Sequence, residues 1–142
     1  MMRTAHRRPP GAFTPAVKLL VRKRAGDGDI FDARCEACSV WLGATGGQFQ
    51  HRAARGAGGC KDSVVNGCAN AALMCYPCHR RAEERNPDLG MGDGGRGFWL
   101  KHGTTPEYDP RNVPIVLRGG MTKYLGEDGR YYDRSPLEEV AA

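Results

Sequence analysis

Two Cys-x-x-Cys pairs, Cys35–Cys38 and Cys75–Cys78, constrain this chain more than any other feature. Each pair lets a tight turn present two thiolates to one ion, and two pairs complete a tetrahedral four-sulfur set of the kind that holds Zn²⁺. Such a set draws two distant segments together whatever lies between them. Structural zinc contributes an apparent ~10–16 kcal/mol, more than the net stability of an ordinary domain. The chain has 142 residues, with 20 Gly, 9 Pro and 8% aromatic residues. A core built from that composition is small and needs a staple.

Two disulfides are the competing use of the four cysteines. MMRTAHRRPP has a basic start with no apolar run after it, so no secretory signal is expected. Ala16–Val21 is short and carries Lys18, so no membrane span and no membrane partner is expected either. The expected location is cytoplasmic, where paired cysteines bind metal more often than they oxidise. Cys60 and Cys68 lie outside any ligand spacing. They read as free thiols, or as a disulfide if their loop folds back on itself.

A net charge of +5 and a pI near 9.0 favour a polyanionic partner. The basic residues crowd the start, since Met1–Gly26 holds Lys and Arg but no acid. Met1–Phe13 reads as a disordered basic arm, either a solvated tail or a phosphate tether. Thr14 is a good helix N-cap and Pro15 suits the first helical position. Val17, Leu20 and Val21 form an apolar stripe, Arg24 continues its spacing, and Lys18, Arg22 and Lys23 point elsewhere. Gly26 is the expected helix stop. Ile30–Leu42 predicts short strands around the first cysteine turn. Gln48–Arg52 predicts a strand with Phe49 and His51 on one face. Ala53–Asn70 reads as a long loop of the functional kind. Ala71–Met74 is apolar and leads to a helix from Pro77 to about Arg85, ended by Asn86-Pro87. A Gly-rich linker, a strand over Phe98–Lys101 and a hairpin turning at Gly119-Gly120 complete the chain.

Three residues around the second cysteine pair carry candidate chemistry. His79 and Glu83 sit at i and i+4 on one helix face and could hold a divalent cation through nitrogen and oxygen. They also read as a solvated pair, with Glu83 taken by a neighbouring Arg. His51, near Arg52 and Arg55, could take a proton from water beside a phosphodiester. Arg52, Arg55 and Arg80 could bind neighbouring phosphates, with Lys18 and Arg22 on the basic helix as further DNA-contacting candidates. Asn70 could bond loop backbone and fix the strand's approach to the helix, or be an ordinary turn residue.

The ordered set His51, Asn70, His79, interleaved with the four cysteines, resembles the HNH endonuclease family. The segments FQHRAARGAGG and CANAALMCYPCHRRAEE, followed by GFWLKHG and VPIVLRGGMTKYLGEDGRYY, are similar to HNH proteins of actinobacterial phages. The resemblance implies an α+β fold: a small zinc-stapled treble-clef, or ββα-metal, domain with a basic N-terminal helix and a C-terminal β-hairpin extension. It divides the chain into an arm (1–13), a nuclease domain (14–88) and a Gly-rich, β-rich extension (89–142). It implies hydrolysis of phosphodiester bonds in double-stranded DNA, by nicking or cleavage. His51 would be the general base, Asn70 the structural residue, and His79 a ligand of the catalytic ion with Glu83. The structural ion would be Zn²⁺ and the catalytic one Mg²⁺, Mn²⁺, Ni²⁺ or Zn²⁺. Many relatives have Asp before the first His. Here it is Gln50, a weaker ligand for a hard cation and one that strand alternation points away from His51. Phage origin would add the host cytoplasm as location and terminase subunits as partners. A zinc-stapled DNA-binding module with a dead site and a protein-interaction module using the β-rich tail are the alternative classes.

Overall fold

The computed structural model describes residues 12–54, 62–92, 94–103 and 105–141. Most of the basic arm, with Arg55 and Cys60, lies outside the described residues. The rest is a small mixed α/β structure. Its helices are α1 (Pro15–Ala25), α2 (Asp62–Val65), α3 (Tyr76–Glu83) and α4 (Pro136–Ala141). Strands β1 (Gln48–His51) and β2 (Ala71–Met74) form one antiparallel sheet, with Gln48 opposite Met74 and His51 opposite Ala71. Strands β3 (Ile115–Val116), β4 (Thr122–Leu125) and β5 (Tyr131–Tyr132) form a second sheet in that order. Among the described residues, no helix is long and apolar enough to cross a membrane.

Helix α1 starts where the capping chemistry places it: the Thr14 hydroxyl oxygen accepts the Val17 N–H at 3.1 Å. The stop differs in kind from the expectation. Gly26 keeps φ at −113°, and the left-handed residue is Asp27. Glycine is needed at 26 for close approach, because a Cβ there would come within 2.0 Å of the Asp29 carbonyl oxygen.

All four residues of β2 are buried, and their alternation divides the core in two. Ala72 and Met74 join Cys35, Cys78, Leu89, Phe98, Ile115 and Leu125. Ala71 and Leu73 join Phe13, Val21, Ala33 and Cys68. The first cluster mixes residues from 14–88 with residues from 89–142, so the C-terminal extension packs on the cysteine-bearing segment. The second cluster corrects the arm's boundary. Phe13 is 3% exposed and packs into the core instead of belonging to a solvated tail.

Several local expectations fail because short segments here are held by isolated hydrogen bonds instead of ladders. Ile30–Asp32 is a 3₁₀ turn, and a single bridge, Arg34 to Trp41, replaces the expected strands around Cys35 and Cys38. Phe98 and Leu100 are buried without forming a strand; their N–H groups donate to the carbonyls of Leu89 and Arg52. The long loop before β2 contains α2 and a 3₁₀ turn at Cys68–Asn70. The hairpin at Gly119-Gly120 is present but shorter than expected, joining β3 to β4.

Three arginines perform much of this fastening. Arg24 is fully enclosed. It makes a two-pronged contact with Glu36 at 2.8 and 2.9 Å and donates to the carbonyls of Cys68 and Ala71. Burial works against its charge, but the Glu36 carboxylate outweighs burial and holds the guanidinium above the usual arginine range. Glu36 also accepts from Leu73 N–H and the Tyr131 hydroxyl, which ties both sheets to α1. Arg52 is 1% exposed and donates to four carbonyls, those of Gly97, Ala69, Pro110 and Val113. Burial, with Arg24 nearby, lowers it to about 9, so it keeps its charge at neutral pH. Arg22 is also buried and donates to Gly43 and Gly46 carbonyls at 2.7 and 2.8 Å.

Removing one member of a buried ion pair strands the other. Arg24→Met is therefore expected to cost about 3–5 kcal/mol, measured by urea denaturation, and Arg24→Met with Glu36→Gln is expected to recover part of the loss.

Candidate metal centre and adjoining cleft

The four predicted cysteines converge. The Sγ atoms of Cys35, Cys38, Cys75 and Cys78 all lie within 4.8 Å of one another, and Cys38 and Cys75 approach to 3.7 Å. A tetrahedral ion with metal–sulfur bonds of about 2.3 Å requires sulfurs about 3.8 Å apart, so the set fits a structural metal such as zinc. Among the described residues it is the only group of three or more His, Cys, Asp or Glu placed to hold an ion.

Each pair is presented by a different device. Cys35 and Cys38 lie on a turn closed by Ser39 N–H on the Cys35 carbonyl at 2.8 Å, with Cys38 N–H directed at Cys35 Sγ at 3.4 Å. The turn takes Ser39 to φ +70°, a left-handed conformation. Cys75 is the N-cap of α3 and Cys78 lies in its first turn, where the helix dipole favours thiolate. Burial pushes the Cys35 thiol up to about 11 and raises Cys78 further, with neighbouring thiolates adding to the rise at Cys78. Burial acts upward on Cys38 too, but the Val40 N–H and the other cysteines hold it below the usual thiol value. Cys35 and Cys78 therefore resist ionisation until a cation joins the set.

A cleft of about 810 Å³ adjoins this centre. It is lined by every residue from Gly47 to Arg52 and by His79, Glu83, Arg85 and Trp99. Among the described residues strand β1 pairs only with β2, so the cleft follows its other edge. This explains why Gln50 and His51 both line it although strand alternation separates their side chains. His79 Nδ1 and Glu83 Oε1 lie 3.3 Å apart across one helical turn. Two donors at that separation suit neighbouring positions on an ion with bonds of about 2.1 Å.

His51 ends β1. Its ring stacks on Phe13 with centroids 3.8 Å apart and planes 10° from parallel, and its Nε2 lies 3.4 Å from Asn66 Oδ1. Asn70 is fully buried just before β2. Its amide accepts from Ala53 N–H at 2.7 Å and donates to the carbonyls of Ala53 and Val65, each at 2.9 Å. One side chain thus clamps the chain leaving β1 to the chain returning to β2.

The basic candidates fare unequally. Lys18 lines the cleft, 5.8 Å above the Phe49 ring, and Arg80 is exposed on α3. Arg52 and Arg22 are corrected as DNA contacts: both are buried, and loop carbonyls hold their donors. Phe13, Asn66, Arg85 and Trp99 were not singled out from the sequence. Phe13 had a signal, since an apolar residue just before an N-cap commonly packs back on its helix.

No family model matches the chain, and no curated protein or solved structure matches it.

Two outcomes follow from the cysteine geometry. Purified protein is expected to carry one zinc per chain, released by thiol modification. Cys78→Ser should abolish that zinc together with the far-UV signal of the fold; a folded, zinc-free chain with unchanged Tm would contradict the stapling role. Ser39→Gly, which removes a left-handed non-glycine residue, should stabilise the loaded protein by about 1 kcal/mol in denaturant titration.

Proposed function

We propose that the protein is a metal-dependent endonuclease of the HNH type, acting on double-stranded DNA. The observation that carries this reading is that His51, His79 and Glu83 line one cleft, while Asn70 clamps the chain between the two histidine-bearing segments. The antiparallel β1–β2 pair followed directly by α3, with a cysteine pair at the helix start, supports a ββα-metal arrangement of the treble-clef kind.

In this reading His51 takes a proton from water as the water attacks phosphorus; the bond from phosphorus to the 3′-oxygen breaks, and that oxygen takes a proton from solvent, leaving a 5′-phosphate and a 3′-hydroxyl. The neutral imidazole serves as acceptor, an effect worth roughly 10²–10⁴ in rate. The Phe13 ring holds the plane of that imidazole. His79 and Glu83, with Gln50 as a further donor, would hold the divalent ion, which supplies Lewis-acid stabilisation of the charge that develops on phosphate. Lys18 and Arg80 supply positive charge at and near the cleft for the DNA backbone. Phage origin and a role beside terminase in genome packaging rest on the sequence resemblance alone.

One observation favours a second reading, a DNA-binding module without cleavage. No third His, Cys, Asp or Glu joins His79 and Glu83 among the described residues, and Gln50 is neutral. Supercoiled plasmid incubated with the protein across Mg²⁺, Mn²⁺, Ni²⁺ and Zn²⁺ separates the two. Wild type is expected to relax or linearise the plasmid in at least one metal, with His51→Ala slower by about 10²–10⁴-fold. Equal inertness of both proteins in every metal leaves the binding module; equal cutting removes His51 as the base.

A further inference from the structure

We propose that Arg85 binds a phosphate of the DNA strand in the cleft, beside the His79–Glu83 pair. This rests on the phosphodiester reading of the cleft and adds a contact to it. Helix α3 closes with Asn86 N–H on the Arg81 carbonyl and Arg85 N–H on the Ala82 carbonyl, each at 3.0 Å. That double closure is the glycine-favouring helix end. Its left-handed position is occupied by Arg85, at φ +57°. An arginine held in a conformation that favours glycine signals a use for its side chain.

The surroundings specify that use. The Arg85 guanidinium lies 5.3 Å from the centroid of the Trp99 ring. Trp99 is a fixed platform: its Nε1–H donates to the Asn86 carbonyl at 2.8 Å, and a Cβ at Gly90 would come within 2.5 Å of the ring. Neighbouring Arg81 is taken by Asp88 at 2.7 Å, but no carboxylate pairs with Arg85 among the described residues. Arg85, Trp99, His79 and Glu83 line the same cleft. A guanidinium docked against an aromatic ring keeps its full charge and gives up no carboxylate-binding capacity, which suits a tetrahedral oxyanion. Lys18 over Phe49 repeats the device on α1, in the same cleft.

The alternative is that Arg85 and Trp99 merely fasten the helix end, and Arg85→Gly separates the two roles. Glycine satisfies the backbone better than arginine does, so this variant is expected to melt at or above the wild-type temperature. Arg85→Gln removes the charge while leaving the backbone preference unchanged. Binding is read by fluorescence anisotropy on a fluorescein-labelled duplex, without added divalent ion, across a NaCl series. Both variants are expected to bind about tenfold more weakly, with the slope of log Kd against log salt reduced by about one. Wild-type affinity and slope in either variant overturn the assignment and leave the cleft reading standing. Absence of salt-dependent binding by the wild type overturns both.

Discussion

Four thiols within 4.8 Å of one another could hold a cation, and the neighbouring elements converge on them. Cys75 begins α3, Cys78 sits in its first turn, and His79 follows immediately. Strand β2 runs into this cluster from Asn70, buried along its whole length. The strand is therefore pinned at both ends: by thiols on one side and by three amide hydrogen bonds on the other. Because β1 pairs with β2 in fixed register, pinning β2 also fixes His51 relative to His79. The distance across the cleft is set by a four-residue strand held at one end by the cysteine cluster and at the other by Asn70.

The cysteines join only Cys35–Cys38 to α3; the remaining segments need another fastening. Arginine supplies it. A chain with many loops has many backbone carbonyls outside any ladder, and buried ones require donors. A guanidinium carries five donors in a planar fan, so one side chain can satisfy several carbonyls from separate segments. Arg52 does this for carbonyls at Ala69, Gly97, Pro110 and Val113, and thereby binds the C-terminal extension to the end of β1. The cost is desolvation of a charge with no carboxylate on it, which lowers its pKa but leaves it protonated. Arg24 solves the same problem with Glu36 as counter-ion.

What could be read from the sequence follows from this division. The cysteine pairs, the Thr14-Pro15 helix start, β2 and the Gly119-Gly120 hairpin are set by local chemistry: ligand spacing, capping, an apolar run, a turn. All appear where they were expected. The buried arginines were not legible, because nothing local distinguishes an arginine that fastens loops from one that faces solvent. Arg24 gave a hint by continuing the apolar spacing of α1. Glu36 and Tyr131, which meet it in space, are far from it in sequence. The same long-range packing placed Phe13 in the core and made Phe98 and Leu100 core residues without a strand.

The correction bears on how the basic composition should be used. Arg22, Arg24 and Arg52 add to the net charge but contribute little to the outer surface. The case for a polyanion therefore passes to the cations at the cleft and on the exposed face of α3. It also passes to His51, whose ring is held on two sides by long-range packing. Phe13 covers a face of the imidazole, not its edge, so stacking fixes the ring plane. Asn66 Oδ1 meets the ring at its edge instead, 3.4 Å from Nε2. The residue just before the first helix cap and the asparagine in the loop before β2 thus act on opposite aspects of one ring. One sets its plane, the other approaches its Nε2, and neither could be assigned from the histidine's own neighbours in sequence.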